Sequence, residues 1–331
     1  DRANDAVRVN GGEVKAKIIG EGGNLGCTQL GRIEYTQAGG RMNTDSVDNV
    51  GGVDCSDNEV NIKILLNGLV DEGDLTIKQR NNLLYDMTDD VSRIVLEDCY
   101  RQTQAITVTQ TKGASQLKEQ IRFIHDLERE GKLDRDLEFL PSDEELAERQ
   151  AAGKGLTRPE LSVLFAYGKM VLKDTFNVPE ITANDYHKRL LPNAFPEVLR
   201  EKFGDAMENH PLRGEIIATK LTNNMVNDMG FNIVLRLQEE TGASAPEIAN
   251  AYAIATAVYD VERLRSDIEN LDNKVSSELQ SFALFEIRRT IRRATRWFLR
   301  HGNKQWSIKE NIAFFSPVFA DLNKNLFKYL I

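Results

Sequence analysis

Residues 48–66 read DNVGGVDCSDNEVNIKILL, and the chain changes character across this stretch. Before it, glycines are dense and short apolar runs alternate with turns, which is typical of α/β structure. After it, apolar residues recur at intervals of three and four, which is typical of amphipathic helices. We therefore predict a mainly α fold, with a short α/β segment over residues 1–70 followed by a large all-helical domain over residues 71–331.

The composition indicates a soluble globular protein, with 41% hydrophobic and 28% charged residues. No apolar run approaches the roughly 18 to 20 residues that a membrane span requires. A net charge of −9 argues against nucleic acid as the main partner, because phosphate binding relies on Lys and Arg. Three cysteines without C-x-x-C spacing favour reduced thiols in a cytoplasmic protein and indicate no zinc site. The opening DRANDAVRVN has neither Met nor a leader pattern, so we expect a piece of a longer polypeptide.

The glycine-rich segment predicts two short strands and one short helix. VKAKIIGEGG indicates a buried strand over residues 15–19 that ends in a glycine turn, and RMNTDSV, residues 41–47, indicates another strand. QLGRIEYTQAGG indicates a short helix closed by Gly39 and Gly40.

Helix starts in the remaining chain are marked by S/T-x-x-E/Q capping boxes, in which a hydroxyl and a carboxylate or amide bond each other's backbone N–H. The predicted starts are Ser56, Ser142, Ser277 and Ser307, and Thr157 before RPEL. The long amphipathic stretches are residues 75–111, 115–131, 159–176, 212–242, 246–270 and 277–300. Ser316 with Pro317 predicts the start of a last helix.

GEGGNLG, residues 20–26, invites comparison with the G-x-G-x-x-G dinucleotide fingerprint but has Leu25 at the third glycine position. Two interpretations stay open: a structural turn, or a loop that lines a cofactor. In either case Asn24 is the side chain placed to hydrogen-bond whatever lies above the strand end.

The stretch from Asn49 to Ser56 also has two interpretations. Gly51 and Gly52 allow close backbone approach, and a helix starting at Ser56 would offer unpaired N–H groups to an anion. Alternatively, Ser56 only caps the helix together with Glu59, and Asn49 only forms a turn.

Two further groups of polar residues favour structural roles. The basic helix around residues 288–300 could bind phosphate or an acidic partner, but acidic residues just upstream favour a solvated or salt-bridged face. The histidines are scattered, and each is predicted to be a surface or capping residue: His125, His187, His210 and His301.

The sequences KAKIIGEGGNLGCTQLGRIEY and GGRMNTDSVDNVGGVDCSDNEVNIKILL strongly resemble the end of the catalytic region in the large NAD-specific glutamate dehydrogenases. The E-G-x-N turn of that family falls on residues 21–24, and its D-x-x-x-N-x-G-G-V-x-x-S segment falls on residues 45–56. LTRPELSVLFAYGKMVLK, LPNAFPEVLR and RRATRWFLR resemble the helical C-terminal domain of the large enzymes. The resemblance thus implies a remnant of a Rossmann-type nucleotide-binding domain followed by that helical domain.

By this resemblance, the parent protein is an oxidoreductase of amino-acid catabolism that oxidatively deaminates L-glutamate to 2-oxoglutarate and ammonium with NAD. The implied cofactor-binding residues are Gly22, Gly23, Asn24 and Asn49. The implied substrate-binding residues are Asn49, Gly51, Gly52 and Ser56. No catalytic residue and no metal ligand is assigned, because the family's catalytic lysine belongs upstream, and we predict that this chain alone is inactive.

The implied partners are glutamate or 2-oxoglutarate, the upstream part of the same polypeptide and further copies in a homo-oligomer, with no nucleic acid and no membrane. The alternative is a non-enzymatic helical module that regulates or assembles a larger polypeptide. The glycine-lined segment discriminates between the two, because an autonomous interaction module has no use for it.

Overall fold

The computed structural model describes residues 2–329 of the chain. It is mainly helical, as the sequence predicts. The chain forms two compact units: the first comprises the residues up to 168 together with 191–213, and the second comprises 169–190 together with the residues from 214 onward. Within the described residues, no helix is long and apolar enough to cross a membrane.

The α-helices follow one another along the chain with short connections. In chain order they are α1 (Gln29–Gln37), α2 (Asp45–Asp48), α3 (Val50–Asp71), α4 (Ile77–Asp86), α5 (Thr88–Gln110), α6 (Leu117–Arg129), α7 (Asp143–Ala151), α8 (Arg158–Phe176), α9 (Pro179–Thr182), α10 (Glu197–Met207), α11 (Arg213–Met229), α12 (Ile233–Thr241), α13 (Ala245–Val258), α14 (Val261–Glu269), α15 (Ser277–His301) and α16 (Ile308–Tyr329). Short 3-10 turns lie at Arg2–Val7, Gly11–Glu13, Gly113–Gln116, His187–Leu190 and Pro192–Ala194.

In the first unit, α3 packs against α4, α5 and α10. The buried face of α3 carries Ile62, Leu65, Leu66 and Leu69, spaced three and four residues apart as a helix requires. All four lie in the second half of the helix, so the first half of α3 is left with a largely exposed face.

In the second unit, α13 lies at the centre and contacts α9, α12, α14, α15 and α16. Its sequence APEIANAYAIATAV is apolar almost all round, as expected for a helix surrounded by others. Ala251, Ala253 and Ala255 are buried in the core with Phe298 and Ile308. Because these alanines have minimal side chains, neighbouring helices can approach closely.

A buried charged cluster lies beside this core. The Asp228 carboxylate pairs with Arg265 at 2.6 Å and accepts a hydrogen bond from the Tyr252 hydroxyl, also at 2.6 Å. Burial lowers the pKa of Arg288 to about 10, although the Asp228 charge acts to raise it. Removing one partner from such a cluster leaves a buried charge poorly compensated, which is unfavourable. The cluster therefore stabilises the packing of α11, α13 and α14, which supply its members.

We expect Arg265→Gln to lower the free energy of unfolding of the second unit by about 3 kcal/mol, because it removes a charged partner of the buried Asp228 carboxylate. Arg263→Gln, two residues away, is the matched control, because both side chains of its ion pair with Asp260 are exposed to solvent. Urea unfolding followed by tryptophan fluorescence reports on this unit, since both tryptophans, Trp297 and Trp306, lie in it. Equal midpoints for the two variants would contradict the assignment.

The two predicted strands do not form within the described residues. Residues 15–19 make only a parallel bridge from Ile18 to Arg41, and Ile18 is 70% exposed rather than buried. Of residues 41–47, only Arg41 takes part in the bridge, and the segment turns into α2 after Thr44. A strand needs neighbours for its backbone hydrogen bonds, and the described residues supply one bridge.

The helix starts at Ser142, Ser307 and Thr157 are confirmed, because Glu145, Glu310 and Glu160 reach back to them as a capping box requires. The short helix before Gly39 is also confirmed as α1, and Gly39 has a positive φ of 99°.

Two predicted starts are wrong, and a third helix, α15, begins at Ser277 as predicted but has its cap one residue earlier. The helix expected from Ser56 already begins at Val50, and the cap of α15 is Ser276, which accepts from Leu279 N–H, rather than Ser277. Pro317 lies inside α16 instead of opening a helix. At Ser56 and Pro317 a longer helix overrides a local signal, since a cap motif is informative only where the helix ends.

Two histidines are buried instead of lying at the surface. His187 is 2% exposed and bonds Asn250 Oδ1 at 2.9 Å. His210 is 3% exposed, bonds the Asn61 carbonyl through Nε2 and accepts Leu212 N–H at Nδ1. Burial lowers the pKa of both imidazoles, so both are neutral structural groups near pH 7.

Candidate functional site

A buried ion pair between Glu21 and Arg32 anchors the glycine-rich loop. Arg32 donates from Nε to Glu21 Oε2 at 2.8 Å and from Nη2 to Oε1 at 2.9 Å, a bidentate arrangement. Both side chains are almost fully buried, and Asp45 approaches the same guanidinium at 3.2 Å. The Cys27 N–H also donates to Glu21 Oε1 at 2.7 Å, so one carboxylate joins α1 to both ends of the loop.

The loop between these anchors is held by side chains of the segment around α2. Glu21 N–H donates to Asp48 Oδ2 at 2.9 Å, and Leu25 N–H donates to Asp45 Oδ2 at 3.1 Å. The Asn49 side-chain amide donates to the Gly22 carbonyl. We call Glu21, Arg32, Asp45 and Asp48 the clamp. It fixes the backbone of residues 21–25, in which Leu25 has a positive φ of 62°, without regular secondary structure.

Gly22, Gly23 and Asn24 are exposed on the open side of this loop. A Cβ at Gly22 or Gly23 would meet no described atom within 4 Å, and neither glycine has a positive φ. Gly11 and Gly40 differ, because a Cβ there would lie 2.4 and 2.2 Å from neighbouring atoms of the chain. Packing among the described residues therefore accounts for Gly11 and Gly40 but not for Gly22 and Gly23, which leave room for another molecule or segment.

Gly51 and Gly52 lie in the first turn of α3 and not in a turn before it. A Cβ at Gly51 would contact Cys99 and Val95 of α5 at ordinary distances of 3.6 and 3.7 Å. A Cβ at Gly52 would lie 3.2 Å from Asn49 Oδ1, which is a tight contact. Gly51 therefore faces α5, whereas Gly52 keeps space open beside the Asn49 amide.

Ser56 is exposed and follows Gly52 by four residues, about one helical turn. Since α3 begins at Val50, Ser56 lies inside the helix and cannot cap it, and the predicted anion site at a helix start there is wrong. Asn49, Gly52 and Ser56 are spaced by three and four, which places them along one face of the helix. The structure thus brings Gly22 and Asn49 into contact and places Ser56 on the same face of α3 as Asn49.

We expect Ser56→Ala to leave the stability of this chain unchanged or slightly raised, because alanine is the better residue in a helix interior. Ser142→Ala is the matched control, since Ser142 is a true cap whose loss costs about 1 kcal/mol. Thermal unfolding monitored by circular dichroism compares the two variants. A loss for Ser56→Ala as large as that for Ser142→Ala would show that Ser56 has a structural role.

The basic helix around residues 288–300 forms ion pairs with the protein. Arg289 pairs with Glu286 at 2.7 Å and Arg296 with Glu240 at 3.3 Å, and Arg288 is buried. The salt-bridged interpretation of this helix is therefore favoured.

Sequence reasoning missed the four residues of the clamp. Their signal in the sequence is a set of charged residues inside a glycine-rich segment where the surrounding residues are small or apolar. Glu21 stands directly before two glycines, and Asp45 and Asp48 are three residues apart, just before the Asn49 motif. Their pairing depends on a tertiary approach that spacing alone does not predict.

The family profile described as glutamate dehydrogenase, C-terminal, matches residues 153–331. The chain belongs to this family. A second profile, described as bacterial NAD-glutamate dehydrogenase, catalytic domain, matches residues 1–109 and so contains the clamp, the loop and the first half of α3. These matches confirm the resemblance drawn from the two sequence motifs.

Three curated relatives are each named NAD-specific glutamate dehydrogenase. The protein of Pseudomonas aeruginosa is 51% identical over 326 residues, that of Halomonas elongata 48% over 330 residues, and that of Mycobacterium tuberculosis 40% over 332 residues. The alignments cover 98 to 100% of this chain but 20% of each relative. The chain thus spans about a fifth of the length of these relatives.

Proposed function

We propose that this chain belongs to a longer enzyme that oxidatively deaminates L-glutamate to 2-oxoglutarate and ammonium, and that it forms one wall of the site where NAD and glutamate meet. The observation that carries the proposal is the contact of Asn49 with the Gly22 carbonyl, because it joins the two motifs in the part matched by the catalytic-domain profile. The names and the lengths of the curated relatives support the same activity for a larger parent.

The exposed loop fits NAD as a ligand. Bound NAD would supply the acceptor for the hydride that leaves glutamate. Gly22 and Gly23 offer the close backbone approach that a dinucleotide requires, since the space where a Cβ would lie is open. The amides of Asn24, which is exposed on the loop, and of Asn49, which contacts the loop, supply hydrogen-bonding groups.

The exposed face of α3 fits the substrate. Gly52 leaves space beside Asn49, and the Ser56 hydroxyl one turn later is free to donate to a carboxylate. Gly51 lies in the same turn and faces α5, where a Cβ would meet Cys99 and Val95 at ordinary distances. These groups bind and orient glutamate, while the proton transfers belong to residues outside this chain, so the chain alone is expected to be inactive.

We further propose that residues 1–70 are the end of a Rossmann-type domain and that the residues from 71 onward form the helical domain. Ile18 and Arg41 make a parallel bridge with α1 between them in sequence, which is the β-α-β connection that parallel strands need. The high exposure of Ile18 is explained if upstream residues of the polypeptide complete the sheet. A cytoplasmic homo-oligomer is the proposed assembly.

The deciding experiment is glutamate-dependent reduction of NAD by the full-length polypeptide, with the isolated chain as the inactive control. Asn49→Ala is expected to lower kcat/KM by about tenfold or more, and Ser56→Ala to raise the KM for glutamate by about tenfold, each from the loss of a hydrogen bond to a bound group. Asn67→Ala, at an exposed position near the end of α3, is the matched control and should leave both constants unchanged.

If the parent is active and both site variants have unchanged kinetic constants, the proposal that Asn49 and Ser56 line the site is contradicted. A parent without glutamate-dependent activity would instead favour the alternative, a helical module for regulation or oligomerisation, of which the α13-centred bundle would be the main element.

A further inference from the structure

Arg158, the first residue of α8, reaches from the part matched by the C-terminal profile to the segment that holds the glycine-rich loop. Its Nε donates to Asn43 Oδ1, its Nη1 to Thr107 Oγ1 at 2.7 Å and its Nη2 to the Thr103 carbonyl at 3.0 Å. All three guanidinium nitrogens thus donate to acceptors that carry no charge. Burial lowers the pKa of Arg158, and the nearby Asp48 carboxylate acts to raise it.

Asn43 connects Arg158 to the clamp. We call the hydrogen-bonded series from Arg158 through Asn43 and Asp48 to the Glu21 N–H the relay. Its amide oxygen accepts from Arg158, and its amide nitrogen donates to Asp48 Oδ1 at 2.6 Å. Asp48 Oδ2 then accepts the Glu21 N–H at 2.9 Å, so the chain of hydrogen bonds ends on the backbone of the loop. The Asn43 amide has one favourable orientation, because turning it over would set its NH₂ against the guanidinium and its oxygen against the carboxylate.

At the other end of the relay, Arg158 is hydrogen-bonded to α5. Thr103 and Thr107 are four residues apart and lie on one face of α5, which packs against α3. A planar guanidinium that binds both of them is held at a defined place and angle relative to α5. Arg158 therefore connects the glycine-rich loop to α5, which is also the helix that the first turn of α3 contacts.

We propose that Arg158 is a positioning residue for the NAD and glutamate site, acting through Asn43 and Asp48 on the loop of residues 21–25 and on the adjoining Asn49. This inference rests on the proposed function for its kinetic consequence. Its structural part, that Arg158 orders the loop, stands on the contacts alone.

A merely structural arginine is available for comparison in the same unit. Arg149 pairs with Glu160 at 2.7 Å, and Glu160 also accepts the Thr157 N–H at 2.6 Å at the start of α8. Arg149 therefore supports the beginning of the helix, and its contact with Glu160 does not involve Asn43. Arg149→Gln removes a similarly enclosed guanidinium and is the matched control.

The test uses the full-length polypeptide and hydrogen exchange of the backbone in residues 20–27, read by mass spectrometry. Arg158→Gln is expected to raise the exchange rate of this segment about tenfold or more, and Asn43→Ala to do the same although Arg158 remains bound to α5. The double variant should add little, because both changes break the same relay. Arg149→Gln should lower the thermal midpoint without changing exchange in residues 20–27.

Kinetics supply a second readout. Arg158→Gln and Asn43→Ala are expected to lower kcat/KM for glutamate by roughly ten to a hundredfold, as a small displacement of orienting groups does, whereas Arg149→Gln should change it less than about twofold. Unchanged exchange in Asn43→Ala, or equal exchange in the Arg158 and Arg149 variants, would overturn the inference. Altered exchange in a parent without glutamate activity would support the relay while contradicting the proposed function.

Discussion

The buried pair of Glu21 and Arg32 is the interaction on which the arrangement of the first unit depends. A carboxylate and a guanidinium withdrawn from water are favourable only when both are fully paired, and here the pairing is bidentate and extended by Asp45 and by a backbone N–H. A loop with no secondary structure thereby acquires a single conformation. Its exposed glycines can face a ligand because the clamp fixes the loop backbone from the protein side.

The helices supply the frame for this clamp. The second half of α3 is buried by four aliphatic residues, whereas its first half presents Gly52 and Ser56 to the outside. Arg158 connects the same region to α5 and α8. Elements matched by the catalytic-domain profile and by the C-terminal profile thus meet within one compact unit, and this explains physically why the helical part would affect the proposed site.

Much of the helical part could be predicted from the sequence, because caps such as Ser142 and Ser307 and the apolar periodicity are local signals. The start of α3 could not. Gly51 and Gly52 each disfavour a helix by about 1 kcal/mol relative to Ala, so the local sequence does not favour the first turn that α3 has. The strand at residues 15–19 was also wrong for the described residues, since backbone pairing depends on neighbours that a local pattern does not contain.

The candidate site was predictable in part. Asn49 and Ser56 could be named from the motif, but the clamp and the Arg158 relay join residues up to 115 positions apart. NAD affinity of the full-length polypeptide tests the central claim most directly, with Glu21→Gln compared by calorimetry with Glu59→Gln, which removes an exposed carboxylate on α3. We expect Glu21→Gln to weaken NAD binding at least about tenfold with helical content unchanged, because the loop loses its anchor. Equal affinities of the two variants would contradict the account.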